Sequence, residues 1–139
     1  MLDLKKHREV KKVLHGILDE KTFRKLKRVA RQYGFDLQEV KKLIDLGFKV
    51  TEVKIFDVTA IITMSKECNQ IKIKIDIVIS DVLVNNEYYI YVSNEKISAP
   101  YYVTIDFDRL VEKITNTDFS KLAKQFEDLV NRVINKQSI

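Results

Sequence analysis

Lys21, Arg24, Arg28 and Arg31 recur at spacings of three and four residues. At about 100° per residue, that spacing gathers four cations on one face of a helix, with Lys27 at its flank. A face of this kind does not make or break bonds. It holds anions, by ion pairing and by hydrogen bonds to phosphate or carboxylate oxygens. The charge of the whole chain is skewed the same way. Residues 1–35 hold 11 Lys/Arg against 4 Asp/Glu, a net of +7, and the remaining residues carry −2, giving the total of +5. Excess charge confined to one helical stretch points to an acidic partner met there.

The other reactive side chains form no catalytic set. His7 and His15 are the two histidines, eight residues apart on different faces of a helix and without a Cys partner, which argues against zinc. Cys68 stands alone in a predicted hairpin turn with no nearby His. No Gly-rich phosphate loop is present. Asp57, Asp76 and the pair Glu95-Lys96 fall on or beside strands, where carboxylates can gather Mg²⁺ for a nuclease. Adjacent strand residues point to opposite faces, so Glu95 and Lys96 cannot act together. The expectation is a non-enzymatic protein without a cofactor, and a metal-dependent nuclease is the weakest reading.

The elements that must position the basic face follow from periodicity. The chain of 139 residues is 45% hydrophobic and 32% charged, enough to bury a core, and its 3 Gly and 1 Pro leave little room for linkers. A single cysteine and a charged first 15 residues predict a cytoplasmic protein without a leader, and no apolar run suffices for a membrane span. Val10, Val13, Leu14, Ile17 and Leu18 predict a first helix, with Lys5, Arg8 and Lys12 opposite. Phe23, Leu26, Val29, Ala30 and Tyr33 predict a second, ending at Gly34. Asp36 and Glu39 predict a capping box opening a third, with Leu37, Val40, Leu43 and Ile44 inward and Gly47 as its C-cap.

From Val50 the period falls to two. "VTEVKIFDVTAIITM" reads as one strand, with Phe56, Val58, Ala60, Ile62 and Met64 on one face. "IKIKIDIVI", "EYYIYVS" and "YYVTIDF" read as three more. Tyr88, Tyr89, Tyr91, Tyr101 and Tyr102 cluster on adjacent strands. They read as half-buried strand residues, with base stacking as the alternative. A short helix capped by Asp106 or Asp108 follows. A long one capped by Thr117 or Asp118 comes last, its stripe Phe119, Leu122, Ala123, Phe126, Leu129, Val130, Val133 and Ile134. The predicted fold is therefore α+β, with three N-terminal helices, a four-stranded antiparallel meander and a long amphipathic C-terminal helix packed on the sheet. Residues 1–48 would form a basic helical subdomain and 49–139 a sheet-plus-helix part suited to dimerisation, or the two would make one compact domain.

Within residues 26–46, Ala30, Gly34, Phe35, Val40 and Leu43 stand in the order and spacing of a helix-turn-helix DNA-binding unit, which this segment resembles. The resemblance implies a reading face of Gln38, Lys41, Lys42 and Asp45 beside phosphate contacts from Lys21, Arg24, Arg28 and Arg31. Gln38 would read an adenine edge and Lys42 a guanine or phosphate. Against it, Asp36, Glu39 and Asp45 put three carboxylates on the reading helix. The expectation is a dimeric binder of duplex DNA, with a protein-interaction module as the alternative. The sequence marks no small-molecule ligand.

Overall fold

The structure is a computed structural model that describes residues 12, 14, 16–57, 59–68, 70–80 and 86–137. Most of the expected first helix lies outside the described residues. Lys12 and Leu14 are helical, and Leu14 is fully buried. Ile17, expected inward, is exposed.

Four helices and five strands are described: α1 (Glu20–Gln32), α2 (Gln38–Asp45), β1 (Lys49–Ile55), β2 (Thr59–Cys68), β3 (Ile71–Ser80), β4 (Glu87–Ser93), β5 (Ser98–Thr104), α3 (Phe107–Asn116) and α4 (Phe119–Gln137). The strands form one open antiparallel sheet in the order β1-β2-β3-β4-β5. This corrects the expectation of three N-terminal helices and four strands: two described helices precede the sheet, and it has five strands. The run read as one strand is a hairpin. Its turn at Phe56 and Asp57 carries neither Gly nor Pro, and is closed by the Phe56 amide donating to the Thr59 carbonyl at 2.7 Å. Phe56, expected inward, is exposed in that turn.

One face of the sheet is the core. Ile71, Ile73, Ile75, Ile77 and Ile79 of β3 are buried, and across their rungs stand Ala60, Ile62 and Met64 of β2 and Tyr88, Ile90 and Val92 of β4. A one-residue slip would turn all of them toward water, so the apolar alternation itself fixes the register. The opposite face carries Lys72, Lys74 and Asp76. Thr63 on this face donates its hydroxyl to Asp76 at 2.8 Å. Buried side chains from α1, α2, the sheet, α3 and α4 form one cluster.

Two turns repeat one chemistry. Tyr33-Gly34-Phe35 ends α1 and Leu46-Gly47-Phe48 ends α2. In each, the glycine has positive φ, 69° and 100° respectively. The amide of Phe35 reaches back to Ala30 at 2.8 Å and that of Phe48 to Leu43 at 3.1 Å. These are the six-to-one bonds of Schellman caps, and each places a buried Phe just beyond the helix. Downstream, Asp106 caps α3 through the Asp108 amide, and Asp118 accepts from Ser120 and Lys121 to start α4. On α4, Ala123, Phe126 and Val130 are buried, but Leu129, Val133 and Ile134 of the expected stripe are exposed.

Candidate nucleic-acid interface

α1 exists because Asp19 caps it and Phe23, Leu26, Val29 and Ala30 bury one face. The Asp19 carboxylate accepts from the Thr22 amide at 2.7 Å, and that bond holds its pKa below the usual carboxylate value. Burial of the apolar stripe turns the opposite side outward. Lys21, Arg24, Arg28 and Arg31 are all exposed there, as the spacing predicts. Lys27 is half-buried, with its ammonium 5.9 Å from the Phe23 ring centre, so it flanks the face and belongs partly to packing. Glu20, Lys21, Arg24, Lys25 and Arg28 line a shallow open depression. Lys25 adds a cation beyond those on the predicted face. It stands four residues beyond Lys21, a spacing that already puts the two on neighbouring turns. Arg24 pairs with Glu20 at 3.1 Å, but both side chains are largely exposed, so the pair is weak and a stronger anion can displace it.

The residues that carry the helix-turn-helix resemblance lie at the α1–α2 junction. Ala30, Phe35, Val40 and Leu43 are buried, and Gly34 makes the left-handed turn. The supposed reading face is less available. The side-chain oxygen of Gln38 is buried and has no hydrogen-bond partner among the described residues. Lys41 pairs with Asp45 one turn away. Lys42 is exposed. Asp45 is thus partly neutralised, at the cost of occupying Lys41.

The expected capping box does not form. α2 begins at Gln38 rather than Asp36, and the Asp36 carboxylate accepts from the Gln38 amide at 2.9 Å. The Glu39 side chain, instead of reaching back to the turn, goes inward to Tyr88. A buried tyrosine hydroxyl requires an acceptor, and Glu39 supplies it. Burial pushes the Glu39 carboxyl up to about 7, outweighing the tyrosine hydrogen bond that opposes it. The same burial and the neighbouring Glu39 push the Tyr88 hydroxyl well above its ordinary range.

The nuclease carboxylates are not brought together. Asp57 lies in the β1–β2 turn, while Asp76 is four positions along β3 from the Thr59–Ser80 rung beside that turn, about 13 Å away along the strand. Glu95 and Lys96 are exposed in the turn between β4 and β5. Cys68, expected in a turn, ends β2 and pairs with Ile71. The tyrosines divide: Tyr88 is buried, and Tyr89 and Tyr91 stack on the opposite face at 6.3 Å. Among the described residues, no helix is long and apolar enough to cross a membrane. No known protein family, curated protein or solved structure matches the chain.

Proposed function

We propose that this chain is a non-enzymatic binder of nucleic acid, most naturally double-stranded DNA, acting as a small dimeric regulator. The observation that carries this reading is the exposed cationic face of α1: Lys21, Arg24, Arg28 and Arg31 in line, with Lys25 beside them. Guanidinium and ammonium groups in such a row match successive phosphates. α2 follows through the glycine turn, with Lys42 exposed for a further contact. Because the Gln38 side-chain oxygen is buried and Lys41 is paired with Asp45, phosphate contacts would dominate over base contacts. Binding would then be strongly salt-dependent and weakly sequence-specific. A second copy would pair two basic faces, and the exposed Leu129 and Val133 of α4 offer it an apolar surface.

Charge reversal at Arg24, Arg28 and Arg31 tests the proposal. The triple Glu variant should lose duplex binding and keep its fold, since none of the three side chains is buried. Undiminished binding would sink the proposal. The engaged reading face favours one second reading, in which the same cations dock an acidic protein. In that case the parent would fail to bind duplex DNA even at low salt.

A further inference from the structure

Glu39 stands in the first turn of α2 but turns toward the sheet. Tyr88, buried on the inner face of β4, shares its hydroxyl hydrogen between the two carboxyl oxygens, at 2.9 Å from Oε1 and 3.0 Å from Oε2. Phe107 of α3 packs on the Tyr88 ring with centroids 5.6 Å apart and holds the hydroxyl in place. The contact therefore fastens the helix after the glycine turn to the start of β4.

The ionisable groups facing this carboxyl are Tyr88 from β4, Asp36 from the α1–α2 connection and Asp108 from α3, while Asp106 acts on Tyr88. Each is an acid or a phenol. We propose that the Glu39–Tyr88 contact is a proton-operated latch on α2, closed while the carboxyl is protonated and loosened when it ionises. The neutral carboxyl satisfies Tyr88 without bringing charge into the core. The ionised one must be desolvated and held among other carboxylates, and the tyrosine hydrogen bond offsets that cost only in part. Swinging the first turn of α2 toward water relieves it. The carboxyl titrates near 7, so the latch works around neutrality.

The consequence for binding rests on the nucleic-acid reading: α2 would be held firmly beside α1 at low pH and less firmly above neutrality, and duplex affinity would fall as pH rises.

Amide hydrogen exchange without DNA, corrected for intrinsic rates, tests the latch at about pH 6 and about pH 8.5. In the parent, protection of the α2 amides should fall by about tenfold relative to β3, as expected for a carboxyl with a pKa near 7 when the latch is closed and near the ordinary 4.5 when it is open. Glu39→Gln, which is neutral at both values, should show no such difference. An equal pH response in parent and variant would overturn the latch. Should the variant fail to fold, carboxyl ¹³C titration of Glu39 in the parent decides: a midpoint near 7 supports the latch, and one in the ordinary carboxylate range overturns it. The exchange result stands whatever duplex titration returns. A pH-dependent latch with no duplex binding at either pH would support the latch and sink the nucleic-acid reading.

Discussion

Gly34 shows how much of this fold rests on single residues. Its φ of 69° is a conformation that costs an L-residue about 1–2 kcal/mol. A Cβ there would meet no atom within 4 Å, so the cost of Gly34→Ala is conformational, not steric. Denaturant unfolding of this variant should show a loss of about 1 kcal/mol, with the m-value unchanged. Glu39 sets a second residue-scale expectation. Its folded pKa of about 7 lies above the usual 4.5, so the folded state binds the proton more tightly. The stability this gives is fully present below about pH 4.5 and is lost as pH rises through 7. Melting curves of the parent against Glu39→Gln should diverge over that window, the parent losing stability relative to the variant. Parallel curves would refute the assignment.

Among the elements, β2 ties the helix pair to the rest. Lys66 donates to the Leu46 carbonyl at 3.1 Å, at the C-terminal end of α2, and lies about 6 Å from the ring centres of Phe48 and Phe119. Its charge there complements the helix dipole. Lys66→Met keeps the stem and removes the donor, and should cost about 1 kcal/mol in thermal or denaturant unfolding. None of this was readable beforehand, because Lys66 lies in a strand pattern with no sign of its distant partner. Local signals fared better. The glycine caps, the Ile alternation of β3 and the apolar stripe of α1 each follow from short-range rules that tertiary packing does not contest. The β1–β2 hairpin was missed because its turn at Phe56 and Asp57 lacks Gly and Pro. The capping box was over-read because Glu39 met a buried phenol from 49 residues away, and that long-range demand outweighed the local one. The exposure of Lys21, Arg24, Arg28 and Arg31 on α1 was legible, since exposed spacing needs no partner, whereas Lys25 and the packing of Lys27 on Phe23 were not. The burial of the Gln38 side-chain oxygen and the pairing of Lys41 were not legible.

At the scale of the molecule, charge and apolar surface sit on different elements. The cations cluster on α1, while Leu129, Val133 and Ile134 stand exposed on α4. If a second copy covers that surface, Leu129→Lys with Val133→Lys should give a monomer in sedimentation equilibrium under conditions where the parent is a dimer. A parent already monomeric at high concentration would remove the dimer from the proposal. The central claim is that the α1 face contacts phosphates. Fluorescent duplex DNA titrated with the parent and with the Arg24, Arg28 and Arg31 triple Glu variant, at several salt concentrations, tests it most directly. Four phosphate contacts predict a slope of about −4 in log affinity against log salt for the parent, and no measurable binding by the variant. No binding by the parent at low salt, or equal binding by both proteins, would contradict the account.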